Sequence, residues 1–462
     1  MRKIDQEPSG NLILETLRTD SAGRNSDVAR FVNLIQSIEG PYSIFLDAPW
    51  GEGKTFFVKC VEAVLKSRNP ILKDEGAEKF DAFPSEIRLD EAPMLYLPFY
   101  FNAWENDYFN DPLCPLLADM ASQYDFDTKA GNASFPEKAA AIIDMLSGIA
   151  SIVGIESGKI GFYDAINAFK GRDLLAQFKE QKDLRNRFNE LIESVLPERA
   201  NKMILFIDEL DRCNPRFSIR LLEQTKRLFA NDNVILVYSV DSAQLANAIA
   251  GVYGNRFDGK KYLERFYDLR FELTPVDKLK YLDTMGYRAS DSYQYAVIAN
   301  DYIAKSIFTM RDLNRICTRL REGQMYVHSF KESSNNDYPF YFAKNALLPT
   351  FIIAAYTDPS LWNRIRNGSD FEEIFDFALD NTHFMRYLDF CLGGTRMSNE
   401  EDKQGDEARR QYICRICALL FIEDMNSNLY QDAYQSIGIY MWNSPNKKVF
   451  RTLEFPKTEK QC

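Results

Sequence analysis

The chain has 462 residues, enough to bury a large core and to form two or more domains. A hydrophobic content of 45% excludes a disordered or low-complexity protein. A formal net charge of −11 argues against a long basic track for nucleic acid and leaves room only for local basic patches.

Met1-Arg2-Lys3 is followed by polar residues rather than an apolar core, so no secretory leader is expected. Of the 8 cysteines, only Cys414 and Cys417 form a C-x-x-C pair. These features predict a reducing, cytoplasmic setting. Residues 1–40 are polar and then helical. Asp27 to Ile38 carries apolar residues at helical spacing, with Ser26 or Asp27 as the expected cap.

Ile44-Phe45-Leu46 reads as the first core strand, and Phe56, Phe57, Cys60, Val61, Val64 and Leu65 as a helix. Between them lies Ala48-Pro49-Trp50-Gly51-Glu52-Gly53-Lys54-Thr55, a phosphate-binding loop in its strand–loop–helix context. Gly51 and Gly53 let backbone N–H groups turn inward around a polyphosphate. Lys54 reaches the β- and γ-phosphates, the Thr55 hydroxyl suits Mg2+, and the helix adds its positive end. Ala48 replaces the first glycine of the strict pattern, a mild change if its φ stays negative.

Residues 67–93 are polar, contain Pro70, Gly76 and Pro84, and read as a surface insertion. Met94 to Phe101 reads as a second strand, with Pro98 suggesting an edge position. Residues 105–202 read as a long, mainly helical insertion. Within it, 139–155 approaches the length of a membrane span, but Asp144 interrupts it. An ionised Asp at mid-bilayer costs roughly 2.5–3.5 kcal/mol. A buried or interfacial helix is therefore the expectation, with a membrane segment as the alternative.

Met203-Ile204-Leu205-Phe206-Ile207 reads as a fully buried strand ending in Asp208-Glu209-Leu210-Asp211-Arg212. Carboxylates at the end of a buried parallel strand lie at the edge where open α/β sheets bind ligands. Asp208 is expected to hold Mg2+ with Thr55, and Glu209 to orient or deprotonate a water. Arg212 is a candidate transition-state arginine, with an ion pair to Asp211 or Asp208 as the structural alternative.

A helix follows through Ile219, Leu221, Leu222 and Leu228, then a buried strand from Val234 to Val240. Near the end of that strand, Ser239 and Asp241 suit contact with the γ-phosphate or water, or a simple strand cap. Residues 268–273 alternate and read as the last strand. From about residue 276 the pattern is helical. Arg311, Arg315 and Arg319 share one helix face, and Arg311 is a candidate nucleotide contact or part of a solvated basic face. Residues 399–410 read as a charged, solvated loop. Cys414 and Cys417 fall in an apolar helical pattern without a second ligand pair, so buried structural roles are expected. Ordinary structural roles are likewise expected for His328 and His383, and Trp104 is expected to pack against the core.

These segments resemble the KAP family of P-loop NTPases. The likeness spans about residues 25–325 and rests on Trp50-Gly51-Glu52-Gly53-Lys54, Phe101-Asn102-Ala103-Trp104 and Asp208-Glu209-Leu210-Asp211-Arg212-Cys213. Tyr262-Leu263-Glu264-Arg265-Phe266 and Met310-Arg311-Asp312-Leu313-Asn314-Arg315 add to it. The resemblance implies an α/β fold of the additional-strand, catalytic-glutamate class, with a mainly parallel sheet. The expected layout is an N-terminal helical segment at 1–40, an NTPase core at 41–275, a helical lid at 276–330 and a helical region of unknown role at 331–462. Many relatives carry transmembrane helices between the two nucleotide motifs, so 139–155 is expected to be their soluble counterpart. Bacterial relatives are linked to membrane-associated signalling or to exclusion of phage.

The expectation is thus a Mg2+-dependent, ATP-hydrolysing switch, acting as a homo-oligomer or with a partner protein, with association at a membrane surface as a further option. A nucleotide-bound scaffold without turnover is the alternative, and a nucleic-acid-stimulated ATPase is disfavoured by the acidic balance.

Overall fold

The computed structural model describes residues 8–74, 95–124, 138–142, 185–193, 196, 200–254, 256–284, 294–329, 338–394, 405–437 and 449–453. The chain divides into two compact units, one of Glu7–Pro275 and one of Val276–Cys462 with Met1–Gln6.

The first unit is built on a five-stranded parallel sheet in the order β2-β3-β4-β1-β5. Its strands are β1 (Tyr42–Asp47), β2 (Tyr96–Asn102), β3 (Lys202–Asp208), β4 (Val234–Val240) and β5 (Leu269–Glu272). The apolar runs are continuous because both faces are covered. Successive strand residues point to opposite faces. Ile44, Leu46, Ile204, Phe206, Ile235 and Val237 enter one core with helices α1 (Gly10–Thr19), α2 (Asn25–Ser37) and α3 (Lys54–Arg68). Phe45, Leu205, Ile207, Leu236 and Tyr238 enter the other. That second core is covered by α5 (Leu113–Ser122), α6 (Pro215–Leu228) and α7 (Ser242–Tyr253), while the short α4 (Pro70–Asp74) follows α3.

β2 lies at the sheet edge, as Pro98 requires. The Gln123 side chain covers part of that edge, accepting from the Tyr100 N–H at 3.0 Å and donating to the Tyr100 carbonyl at 2.6 Å. Helix α2 starts at Asn25, so neither Ser26 nor Asp27 is its cap. The Asp20 carboxylate instead accepts the Asn25 N–H at 2.9 Å, which frees Asp27 for a contact elsewhere in the sheet unit.

The second unit is helical, with helices that include Gln294–Lys305, Met310–Ser329, Leu348–Thr357, Thr382–Gly394 and Asp406–Phe421. They share one apolar core, to which Leu313, Ile316, Leu320, Phe351, Phe384 and Ile416 belong. Cys417 is buried there, and Cys414, on the same helix, packs against it. Burial pushes the Cys414 thiol up to about 12, which keeps it protonated. The charged stretch expected to be a loop is helical from Asp406 onward. Arg409 pairs there with Asp389 at 2.8 Å and Arg410 with Asp376, so these charges tie helices together. Residues 399–404 lie outside the described residues, as do 143–155 of the apolar segment, 75–93 of the polar insertion, Met94 at the start of the expected second strand, and most of 105–202. Among the described residues, no helix is long and apolar enough to cross a membrane.

Candidate nucleotide site

Parallel pairing brings the carboxyl ends of four strands into line. Asn102 on β2 stands opposite Asp208 on β3. Asp208 stands opposite Ser239 on β4, and Ser239 opposite Leu46 on β1. One residue later, β1 ends and the loop 48–55 begins.

The loop turns at two left-handed glycines, Gly51 with φ of 91° and Gly53 with φ of 76°. Only glycine adopts these without a steric penalty. Ala48 is not among the positive-φ residues, so alanine is tolerated where the strict pattern has glycine. Helix α3 starts at Lys54 and carries Thr55 in its first turn, with Gly53 at the cap position.

The Lys54 ammonium donates to the Ala48 carbonyl at 2.6 Å and the Pro49 carbonyl at 3.4 Å. It also lies 4.0 Å from the Asp211 carboxylate. Burial pushes its pKa below the usual lysine range, and the negative charges of Asp211, Asp241 and Asp208 oppose that shift. The loop and the acidic motif, 150 residues apart in sequence and more, therefore meet at Lys54.

Asp208 is fully buried. It accepts from the Glu209 N–H at 2.9 Å and from the Tyr100 hydroxyl at 3.1 Å. Glu209 adopts a left-handed conformation, φ 60° and ψ 24°, unusual for a residue with a Cβ. This turns the chain sharply out of β3. The Glu209 carboxylate pairs with Arg212 at 2.5 Å, and the amide of Asn102, which donates to Glu105 at 2.9 Å, lies nearby on β2. Burial raises its pKa above the ordinary carboxylate value, Asp208 and Asp211 raise it further, and Arg212 and Asn102 oppose the rise. The partner of Arg212 is thus Glu209 rather than Asp211 or Asp208. Trp104, expected in the core, is 51% exposed with Arg212 above its ring.

Asp211 was read as part of a motif and as a partner for Arg212, not as a neighbour of the loop. Its side chain is buried, it accepts the Trp50 indole N–H, and its second oxygen has no partner among the described residues. Asn102 and Tyr100 were likewise missed as neighbours of the acids, because only strand pairing aligns them. Asp241 caps α7 by accepting the Gln244 N–H at 3.1 Å. The Ser239 hydroxyl is buried beside Asp208 without a partner among the described residues. Arg311, Arg315 and Arg319 are exposed along the helix Met310–Ser329 of the helical unit.

Asp208, Glu209, Asp211 and Asp241 outnumber Lys54 and Arg212. That excess of hard oxygen donors, with an unpartnered buried hydroxyl beside Asp208, fits a hydrated Mg2+.

The sheet order, the loop and the acidic strand end define a P-loop NTPase domain. The profile described as "KAP family P-loop domain" matches residues 24–327, and the chain belongs to that family. No curated protein matches the sequence. Among solved structures, the chain is similar at 10% identity to a chain in "Structure of Drosophila ORC bound to GC-rich DNA and Cdc6". That match covers 92% of this chain and 60% of the other, with a TM-score of 0.30.

Proposed function

We propose that the chain is a Mg2+-dependent ATPase that works as a molecular switch. The observation that carries this reading is Lys54, at the start of α3, standing 4.0 Å from Asp211 in the turn after β3. The two segments a triphosphate needs therefore lie side by side.

In this reading, the N–H groups of the loop 48–55 and Lys54 bind the phosphates, and Thr55 with Asp208 holds Mg2+. The ion, when bound, neutralises charge on the β- and γ-phosphates. Glu209 takes a proton from the water that attacks the γ-phosphorus, and the bridging oxygen leaves with its electron pair as ADP. Ser239 donates to the γ-phosphate or the water. Arg212 is assigned to stabilising charge that develops on the phosphates. Glu209 is engaged by Arg212 at 2.5 Å, so turnover requires that ion pair to open. The same engagement favours the second reading, a scaffold that holds nucleotide without hydrolysing it.

A cytoplasmic role in bacterial signalling or phage defence, with a second copy or a partner protein, rests on family likeness alone. The test is phosphate release from Mg2+·ATP by the purified chain, with and without DNA, lipid vesicles and candidate partner. Release that needs Lys54 supports the ATPase. Binding without release supports the scaffold. Release that depends on DNA and falls steeply with salt shifts the assignment to a nucleic-acid-stimulated enzyme. No binding at all refutes the first two.

A further inference from the structure

Arg24, the residue before α2, is only 6% exposed. A buried guanidinium must find acceptors for its five N–H groups. Its Nε and one terminal nitrogen donate to the Thr274 carbonyl at 3.1 and 2.8 Å. The other terminal nitrogen donates to the Glu52 carbonyl, while the nitrogen nearer Thr274 also donates to the Glu52 carboxylate at 3.2 Å. Glu52 sits between the two left-handed glycines of the loop. Thr274 lies just past β5, next to Pro275, the last residue of the sheet unit.

The next turn of α2 grips the same strand exit. Asp27 accepts the Thr274 N–H at 3.0 Å and its hydroxyl at 2.5 Å. Arg30 pairs with Asp27 at 3.1 Å, donates to the Glu272 carbonyl at 3.3 Å and covers the Phe271 ring. Arg24 alone of these residues also reaches the loop. Its grip on Glu52 bears on phosphate binding through peptide geometry. The Glu52 carbonyl and the Gly53 N–H share one rigid trans plane and point in opposite directions. Holding the carbonyl on Arg24 therefore fixes where the Gly53 N–H points.

We propose that Arg24 is a positioning residue that links the phosphate-binding loop to the β5 exit at Thr274, so that phosphate in the loop is felt where the chain leaves for the helical unit. The trigger rests on the nucleotide reading above, while the link itself does not. Lysine cannot replace arginine here, because a single ammonium lacks the planar fork that reaches both carbonyls.

The test is residue-resolved hydrogen–deuterium exchange on the full chain. Asp27→Asn acts on Thr274 and on Arg30 and makes no contact with the loop. It should accelerate the Thr274 amide and, through Arg24, the amides of 51–54 by about five- to tenfold, the loss of roughly one hydrogen bond. In an Arg24→Lys background the same change should accelerate Thr274 alone. Glu52→Gln should act in reverse, from the loop to Thr274. Effects that stay local in the Arg24 background overturn the proposal. Amides of β3 report global unfolding, and if Asp27→Asn accelerates those too, Glu52→Gln decides. With Mg2+·ATP, Thr274 should slow in the Arg24 chain and not in Arg24→Lys; equal slowing in both overturns the link. Residues 48–55 that ignore Mg2+·ATP would refute the ATPase reading and leave the nucleotide-free comparisons to decide the link.

Discussion

The indole N–H of Trp50 donates to the carboxylate of Asp211, 161 residues further along the chain. One residue of the phosphate-binding loop is thereby fastened to the turn after β3. The same carboxylate faces Lys54 at 4.0 Å. The tryptophan of the loop and the second aspartate of the acidic motif are two halves of one contact, which gives both sequence signals a physical basis. Trp50→Phe keeps the ring and removes the donor. It leaves Asp211, already short of one partner, with a buried carboxylate facing only Lys54. A buried acceptor without its donor costs about 1–3 kcal/mol. ATP affinity measured by calorimetry should fall about tenfold, and an affinity equal to that of the parent chain would remove Trp50 from loop positioning.

Lys54→Ala removes the one cation at the start of α3 that faces the acidic turn. Nucleotide affinity should be abolished in equilibrium binding. Undiminished binding would sink the assignment of this loop to phosphate.

Glu209→Gln retains the size of the side chain and removes its ability to take a proton. Binding of Mg2+·ATP should persist while turnover is lost, read as phosphate release under saturating ATP. Normal turnover would take Glu209 out of the base role.

The acid side of the turnover profile follows from the same carboxyl. Burial and the neighbouring acids raise it above its ordinary value of 4.5. Below the raised value the group is protonated and cannot accept from water. Turnover should therefore climb with pH through a midpoint above 4.5. For stability the sign is opposite. The folded chain binds this proton more tightly than the unfolded chain, so the favourable contribution is complete below 4.5 and is lost as pH rises through the folded value. Glu209→Gln should then leave the sheet unit more stable than the parent above that value and not below it, as followed by denaturant titration across pH.

Phe206 is fully buried on β3, two residues before Asp208. Phe206→Ala should cost the sheet unit about 3–5 kcal/mol. The β3 amides should exchange at least about a hundredfold faster. An effect below about 1 kcal/mol would mean that this face of the strand is not the packed core described here.

Much of the sheet unit was legible because its signals are local. Continuous apolar runs mark strands buried on both faces, and Gly51, Gly53, Lys54 and Thr55 form a loop whose chemistry is contained in a few consecutive residues. The paired acids at the end of β3 are equally local. Local patterns failed where a side chain chose a distant partner. Asp27 looked like a helix cap and instead holds Thr274. Residues 406–410 looked like a solvated loop and are helical, because Arg409 and Arg410 find acids on other helices. Trp104 looked like core and stands exposed beside Arg212.

By itself, the sequence determined the family and the loop and acidic motifs of the fold, since side-chain chemistry and two-residue or four-residue periodicity travel with the chain. Strand order was decided only in three dimensions. It set Asn102, Asp208 and Ser239 in one row, joined Trp50 to Asp211, and placed Arg24 between Glu52 and Thr274. Such contacts depend on where separate segments are brought together, and no spacing within any one segment encodes them.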